Sequence, residues 1–334
     1  MITDMEPKDA EKETETPPLS TFFTSPRQCP ATLILGRCND RNSHFTCKSA
    51  MLFTASWWSS DTVAVVTGAN KGIGFAIVKR LAQLGLTVVL TARDGGRGIK
   101  ATDSLRSQGL HVWFSKLDVS DAASIEGFVS WFRENFATLD VLVNNAAVSF
   151  NDVDENSVDH AETVVRTNFY GPKLLTEALL PLLRRSPSSK SRILNISSRL
   201  GSFNKVKNQS IRRMLQSDDL TEDQVEAIAG RFLESVGDGT WKAEGWPEVW
   251  TDYAVSKVAL NAYAKVLAKR LLGKGVSVNC FCPGFTQTSM TRGKGSRTAE
   301  EAAEVAVRLA LLPPEGLPTG KFFAGSKPVM GSKL

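Results

Sequence analysis

The stretch VAVVTGANKGIGFAIVKRLAQL, residues 63–84, decides the fold of this chain. Its first part, VAVV (63–66), is a short apolar run typical of a buried strand, and FAIVKRLAQL (75–84) has helical periodicity. The turn between them, TGANKGIG (67–74), lets the backbone bend tightly and approach a diphosphate, which the free N–H groups of the following helix can bind. The turn glycines are Gly68, Gly72 and Gly74. A glycine-rich turn that only packs is the simpler alternative, but the strand before it and the helix after it favour dinucleotide binding.

Strands and helices continue to alternate after this unit. Further strands are predicted at 86–91, 111–114, 139–146, 192–197, 276–281 and 321–323. Helices are predicted at 123–136, 158–183, 253–272 and 299–312. Several strands are apolar on both faces, which is typical of a parallel sheet covered by helices on both sides. The chain is therefore predicted to be α/β, with a Rossmann-type doubly wound parallel sheet of about seven strands in a single domain, residues 61–334.

The interval between Ser198 and Tyr253 breaks this alternation, because it contains no core strand. It holds an amphipathic helix pattern at 218–236 and a Gly- and Pro-broken loop with three tryptophans at 237–250. We expect an ordered helical insertion, about 199–250, before the tyrosine helix. The candidates for the wall of an apolar substrate pocket are Phe203, Trp241, Trp246 and Trp250. Alternatively, the tryptophans fasten the insertion to the body of the domain.

The composition indicates a globular protein and argues against several function classes. The 334 residues are 42% hydrophobic and 22% charged, with a net charge of +5. No dense run of Lys and Arg indicates a nucleic-acid surface, and no apolar stretch reaches the length of a membrane span. A soluble protein without a nucleic-acid partner is therefore expected. The five cysteines show no metal-ligand spacing with His, so neither a disulfide framework nor a metal site is predicted.

The two ends of the chain bear on its location. Residues 1–60 are predicted to be a disordered or targeting extension, because 1–16 is acidic and polar and 17–60 is rich in Ser and Thr, as plastid transit peptides are. The last three residues, Ser332, Lys333 and Leu334, match a peroxisomal targeting signal. A cytoplasmic or peroxisomal location is expected, with plastid targeting as the alternative.

The end of the second strand indicates which dinucleotide is bound. An acid at this point would bind the adenosine-ribose hydroxyls of NAD, but Arg93 occupies the position. Lys71 lies in the glycine-rich turn, and two cations near the ribose suit the 2′-phosphate of NADPH or NADP+. Asp94 follows Arg93 and could rotate towards the ribose, and both cations could instead be solvated surface charges.

A second candidate site is YAVSK (253–257). Tyr253 and Lys257 are about one helical turn apart, so a helix brings the phenol and the ammonium to one face. A free tyrosine has a pKa of about 10, too high for a base at neutral pH, and an adjacent ammonium stabilises the phenolate. The pair can therefore serve as an acid–base centre.

Seven motifs occur in the order seen in one known family. They are TGANKGIG (67–74), LDV (117–119), NNAA (144–147), Asn168, NISS (195–198), YAVSK (253–257) and PG (283–284). In this order they resemble the short-chain dehydrogenases/reductases over roughly 61–323. The chain looks most like the monomeric carbonyl reductases, in particular the plant branch with salutaridine reductase and menthone/neomenthol reductase. That branch is similar in its NKGIG turn, its TARD strand end and its long insertion.

The resemblance implies a role for each matching residue. Tyr253 would donate a proton to a carbonyl oxygen, or act as base in the reverse direction, and Lys257 would bind the nicotinamide ribose and lower the pKa of Tyr253. Ser198 would hold the substrate oxygen, and Asn168 would hold a water that links Lys257 to solvent. Asp118 would contact the adenine. The other expected cofactor contacts are Gly68, Asn70, Lys71, Gly72, Ile73, Gly74, Arg93, Asn145, Pro283, Gly284, Thr286 and Thr288.

Two features depart from the family pattern. Ala147 stands where the NNAA motif usually has glycine, and the interval from Ser198 to Tyr253 is far longer than usual. In the branch that the chain resembles, such an insertion covers the surface that dimeric members use. The resemblance therefore implies a monomer.

Together these patterns predict an NADPH-dependent carbonyl reductase that converts a small or medium apolar ketone or aldehyde to the alcohol, reversibly, with Tyr253 as proton donor. NADP-dependent oxidation of a secondary alcohol is one alternative, because the same residues serve both directions. A non-catalytic NADP-binding module is the other, and it predicts a missing catalytic group, whereas none is missing.

Overall fold

Seven parallel strands form one sheet in the order β3-β2-β1-β4-β5-β6-β7. The strands are β1 (Val63–Val66), β2 (Thr87–Ala92), β3 (Val112–Lys116), β4 (Val141–Asn144), β5 (Ser191–Ile196), β6 (Val276–Cys282) and β7 (Lys321–Ala324). This computed structural model describes residues 56–152, 156–184 and 191–324, which lie in one compact unit, Thr54–Leu334. The strand order reverses between β1 and β4, as in doubly wound dinucleotide-binding sheets. The predicted fold class is confirmed.

Helices cover both faces of this sheet. They are α1 (Gly72–Gln83), α2 (Gly95–Arg106), α3 (Ala122–Asn135), α4 (Ala161–Val165), α5 (Gly171–Leu179), α6 (Gln209–Gln216), α7 (Glu222–Gly237), α8 (Thr251–Arg270) and α9 (Ala299–Ala310). Successive side chains of β1 point to opposite faces, because a strand alternates with a period of two. Val63 and Val65 pack in a core with α3, α5 and α8, whereas Ala64 and Val66 pack in a core with α1 and α9. Burial on both sides explains the continuous apolar strands.

Two helices were not predicted from the sequence. Helix α2 begins with glycines and has few apolar residues, so its periodicity is weak, and it starts where Asp94 accepts a hydrogen bond from the backbone N–H of Arg97. Helix α6 is short and polar, and Asn208 caps it in the same way through the N–H groups of Ser210 and Ile211. In both cases the sequence signal for the helix is its capping residue, and the same residue types also favour ordinary turns.

The helix predicted at 158–183 is not continuous. Helix α4 passes into a π-helical turn, Arg166–Tyr170, which passes into α5 and ends in a 3-10 turn, Leu180–Leu182. A π turn inserts one extra residue into the hydrogen-bonding ladder, and such turns are frequent at functional sites. Asn168 lies at the centre of this turn.

Helix α7 fastens the insertion onto α8. It begins at Glu222, four residues after the predicted start, because Thr221 and Gln224 form a reciprocal capping box. The Arg270 guanidinium on α8 contacts Glu222 of α7 at 2.7 Å and Glu177 of α5 at 2.6 Å. Lys173 of α5 lies 2.8 Å from Glu226 of α7. The insertion was expected to be an ordered segment. The physical reason for its order is that an apolar stripe of α7 is flanked by ion pairs.

Both predicted targeting segments lie at or beyond the limits of the described residues. Residues 1–55 and the tripeptide Ser332–Leu334 lie outside the described residues. Just before the predicted boundary at 61, Trp57 packs on the unit: its indole N–H donates to the carbonyl of Leu311, and the Arg192 guanidinium lies over its ring. Within the described ranges, no helix combines the length and the apolar character needed to cross a membrane.

Candidate active site

A cavity of about 640 Å³ opens at the carboxyl ends of the strands, beside the reversal of strand order between β1 and β4. Ligands of doubly wound sheets bind at this place. The structure brings most of the predicted site residues to its wall. They are Gly68, Asn70, Lys71, Gly72, Ile73, Arg93, Asp118, Asn145, Ser198, Trp250, Tyr253, Lys257, Pro283, Gly284, Thr286 and Thr288.

Tyr253 and Lys257 lie on the first two turns of α8, with the Lys257 Nζ atom 5.6 Å from the centre of the Tyr253 ring. The ammonium donates a hydrogen bond to the carbonyl of Ile196 at the end of β5, at 2.9 Å. Burial lowers the pKa of Lys257 to about 8 and raises the pKa of Tyr253 above its usual value. In the protein without a bound ligand, Tyr253 is therefore a protonated phenol at neutral pH.

Ser198 lies on the wall of the cavity. Its Oγ atom accepts a hydrogen bond from the N–H of Leu200 at 3.1 Å, so the hydroxyl hydrogen is left to donate. The turn that follows Ser198 lies directly against α8, because a Cβ atom on Gly201 would come within 2.6 Å of the Lys257 backbone. The absence of a side chain at Gly201 thus allows Ser198 and Lys257 to face one cavity.

Asn168 does not line the cavity, but it positions two segments that do. Its Oδ1 atom accepts from the N–H of Val148 at 2.8 Å, and its Nδ2 group donates to the Val148 carbonyl at 2.9 Å. The same Nδ2 group donates to Ser256 Oγ at 3.1 Å, and Ser256 precedes Lys257 on α8. Because protein groups occupy the polar atoms of this side chain, its predicted water relay to Lys257 stays a prediction.

The glycine-rich turn fits a diphosphate. Lys71 is the N-cap residue of α1, no side chain caps this helix, and its first turn holds no acidic residue. The free N–H groups and the positive dipole end of α1 are thus left for an anion. Gly68 has φ +60°, and a Cβ atom there would lie 2.8 Å from Ala146 Cα, so only glycine brings the turn this close to the end of β4. Gly74 lies behind the turn, against Asn145, and not on the cavity wall.

Asp94 is held away from the cavity by its bonds to Arg97. Its carboxylate accepts from the N–H of Arg97 at 2.9 Å and pairs with the Arg97 guanidinium at 2.8 Å, and these bonds lower its pKa. Arg93 lines the cavity, whereas Asp94 does not. Lys71 also lines it and donates to Ser289 Oγ at 2.8 Å. The cavity wall therefore presents one cation directly after β2, Arg93, and a second in the glycine-rich turn, Lys71.

A family comparison identifies this arrangement. The model of the short chain dehydrogenase family matches residues 62–211 and 243–299. The chain belongs to the short chain dehydrogenase family. The unmatched residues between the two ranges fall in the insertion that carries α7.

Individual relatives agree with this assignment. The chain is 37% identical over 285 residues to (+)-neomenthol dehydrogenase from Arabidopsis thaliana, which covers 78% of this chain and 95% of the relative. It is also 37% identical to carbonyl reductase (NADPH) 1 from Bos taurus, over 81% of this chain and 99% of that one. The solved structure of salutaridine reductase from Papaver somniferum superposes with a TM-score of 0.72 at 37% identity, covering 78% of this chain and 99% of that one. The resemblance predicted from the motifs is confirmed.

Three of the four aromatic residues predicted to wall the pocket lie elsewhere in this family member. Trp246 is 3% exposed, packs edge-on against Phe232 of α7, and donates its indole N–H to Ser235 Oγ at 3.0 Å. Phe203 is buried in the same core, and Trp241 packs against it. Of the four predicted aromatic residues, Trp250 alone lines the cavity. The prediction is corrected accordingly: these three aromatics pack in or against the hydrophobic core, and Trp246 does so directly against α7.

The sequence pattern missed part of the apolar wall. Side chains of three separate segments face the cavity beside Trp250. They are Leu200, Val249, Phe285 and Met290. No motif marks them, since they are ordinary apolar residues in loops that come together only in the fold.

We expect Trp246→Ala to lower the free energy of unfolding by about 3–5 kcal/mol, the usual cost of removing a large buried side chain. The KM of any substrate should change little, because Trp246 does not reach the cavity. Chemical denaturation and steady-state kinetics check this, with Trp241→Ala, at a half-buried position, as the milder control. An unchanged stability with a large rise in KM would instead indicate that Trp246 lines the substrate pocket.

Lys257 should also make stability depend on pH. The unfolded chain holds this proton up to about pH 10.5, whereas burial lowers the pKa of Lys257 in the folded state to about 8. Between these values the unfolded state binds more protons, so the contribution of Lys257 to stability rises with pH. Lys257→Met should be more stable relative to the wild type at pH 7, and this advantage should shrink between pH 8 and 10. Denaturation over that range checks it against Lys100→Met, an exposed position on α2; parallel curves would contradict the expectation.

Proposed function

We propose that the protein is an NADPH-dependent carbonyl reductase that converts a small or medium apolar ketone or aldehyde to the alcohol, reversibly. One observation carries the proposal: the hydroxyls of Tyr253 and Ser198 face one cavity that continues to the uncapped N-terminus of α1. Two hydroxyl donors on one side and an anion site on the other match a carbonyl group and a dinucleotide.

The residues of the site perform the proton chemistry. When bound, NADPH supplies the hydride that reduces the carbonyl carbon. Ser198 donates a hydrogen bond to the carbonyl oxygen, and Tyr253 transfers its phenolic proton to that oxygen as negative charge builds there. Lys257, anchored on the Ile196 carbonyl, places its positive charge beside the phenolate that remains. The burial that raises the pKa of Tyr253 keeps it protonated beforehand, which suits the direction of reduction.

NADP(H) is the cofactor that fits the cations of this cavity. Lys71 and Arg93 both line it, and the acid next to Arg93, Asp94, is engaged with Arg97. The relative from Bos taurus is named as an NADPH enzyme, which agrees with the expectation from the sequence. The apolar side chains Leu200, Val249, Phe285 and Met290 supply the contacts for an uncharged substrate.

Oxidation of a secondary alcohol is a second candidate, because the relative from Arabidopsis thaliana is a (+)-neomenthol dehydrogenase. A panel of ketones, aldehydes and cyclic monoterpenones with NADPH and NADH, followed at the nicotinamide absorbance, tests the proposal. Turnover with NADPH supports it. NADPH binding without turnover of any carbonyl or alcohol would favour a non-catalytic module, and no NADPH binding would overturn the proposal altogether.

We also propose that the protein is a monomer. Helix α7 packs along α8 and α4. Ion pairs from Arg270 and Lys173 hold it there. The parts of α8 and α4 that α7 covers are therefore closed to a second copy. Sedimentation at micromolar concentration should give the mass of one chain; twice that mass would contradict the proposal.

A further inference from the structure

Two residues of the described chain have a left-handed backbone without being glycine: Trp250, with φ 48°, and Arg292, with φ 50°. Such conformations cost energy and persist only where the surroundings hold them, often at ligand sites and clamps. Trp250 precedes α8, and Arg292 lies in the loop after β6. These positions are far apart in the sequence, yet both residues contact the same partner.

That partner is Asp152, in the loop after β4. Its backbone carbonyl accepts a hydrogen bond from the Trp250 indole N–H at 2.7 Å. Its carboxylate forms an ion pair with the Arg292 guanidinium. Asp152 therefore joins the ends of three separate segments around the cavity: the loop after β4, the end of the insertion and the loop after β6.

The residue held in this way lies against the catalytic phenol. The Trp250 and Tyr253 rings meet edge-on, with centres 5.8 Å apart and planes at 87°. Trp250 lines the cavity, whereas Asp152 and Arg292 do not. The ion pair is largely exposed, at 66% for Arg292 and 35% for Asp152, and exposed pairs contribute little to stability. Its effect is thus expected at the cavity wall and not in the melting temperature.

We propose that Asp152 is a positioning residue that fixes the Trp250 indole as a wall of the carbonyl site and thereby limits the size of the ketone that is reduced. The inference rests on the proposed function. Without the ion pair, the loop that carries the Asp152 carbonyl loses its anchor on the Arg292 loop. The strained Trp250 then relaxes, its ring leaves the wall, and larger ketones enter while small ones are held less well against Tyr253.

The test compares Asp152→Asn and Arg292→Gln with the wild type. Asp152→Asn keeps the size of the side chain and removes its charge, whereas Arg292→Gln shortens the side chain and removes its charge but leaves it polar. Glu244→Gln is the matched control, because it removes a partly exposed ion pair, Glu244–Arg231, that does not border the cavity. Activity is measured with NADPH on cyclohexanone and on 2-adamantanone, and hydrogen exchange is measured on peptides covering residues 247–256.

We expect each variant to raise the ratio of kcat/KM for 2-adamantanone over cyclohexanone about tenfold, since a misplaced wall can cost a small substrate this much. The double variant should change the ratio no more than either single one, because both remove the same contact. Exchange at the start of α8 should become faster in both variants and stay unchanged in Glu244→Gln. A ratio that falls or stays within about twofold of the wild type, with unchanged exchange, overturns the proposal.

Failure of the proposed function is distinguishable from failure of this inference. If the wild type reduces neither ketone and no other carbonyl, the function proposal fails in the wild type itself. The exchange measurement then decides alone whether Asp152 holds Trp250, and wild-type exchange in both variants overturns that role.

Discussion

Tyr253→Phe is expected to lower kcat about 10²- to 10⁴-fold, the usual contribution of a positioned general acid. Phenylalanine keeps the ring that packs against Trp250 but removes the only proton that this residue can transfer. NADPH binding should change little, since the cations and the glycine-rich turn are untouched. Steady-state kinetics on the best ketone of the panel, with NADPH binding measured by fluorescence, checks both parts.

The matched control is Tyr263→Phe on the same helix. The Tyr263 hydroxyl donates to Glu177 at 2.6 Å, outside the cavity, so its loss should lower the free energy of unfolding by roughly 1 kcal/mol and leave kcat unchanged. If Tyr253→Phe kept the kcat of the wild type, another group would have to supply the proton, and the mechanism would be wrong.

Arg93→Asp is expected to shift the preference from NADPH towards NADH. The substitution removes a cation that lines the cavity and places an acid where NAD-binding sheets have one. A hydrogen bond to a charged group is worth about 1.5–3 kcal/mol, so kcat/KM with NADPH should fall roughly 10- to 100-fold, while that with NADH rises. Kinetics with both cofactors at one fixed ketone concentration measures the ratio.

Lys100→Asp controls for the change in net charge, because Lys100 lies exposed on α2 and does not line the cavity. Lys100→Asp should change the ratio of kcat/KM with NADPH to kcat/KM with NADH little. An Arg93→Asp variant that still preferred NADPH to the wild-type degree would show that Arg93 does not face the phosphate. Lys71, which is tied to Ser289, would then be the next candidate.

The sheet could be predicted closely because its signal is local. The bounds of β1 agree with the apolar run at 63–66, since a strand buried on both faces is rich in apolar residues. The π turn at Arg166–Tyr170 could not be predicted, because the apolar spacing of its sequence also fits a continuous helix. Helix α2 was missed for a related reason: its stability comes from the Asp94 cap and packing on β3, and not from periodicity.

The candidate site was likewise predicted in part from the sequence. Tyr253, Lys257 and Ser198 were found because each belongs to a motif whose chemistry is specific. Their meeting depends on Gly201, which no motif singled out. The pocket aromatics were misplaced because sequence cannot tell a tryptophan that packs on α7, such as Trp246, from one that faces a ligand, such as Trp250. Contacts between distant loops decide that difference.

The central claim is that this cavity transfers hydrogen from NADPH to a carbonyl carbon, with Tyr253 completing the alcohol. NADPH that carries deuterium at both C4 positions of the nicotinamide tests it most directly, by mass spectrometry of the alcohol formed from the best ketone of the panel. We expect the wild type to form alcohol with one deuterium on the carbinol carbon. We expect Tyr253→Phe to form far less of this labelled alcohol. NADPH that binds yet passes no deuterium to any ketone or aldehyde would contradict the claim.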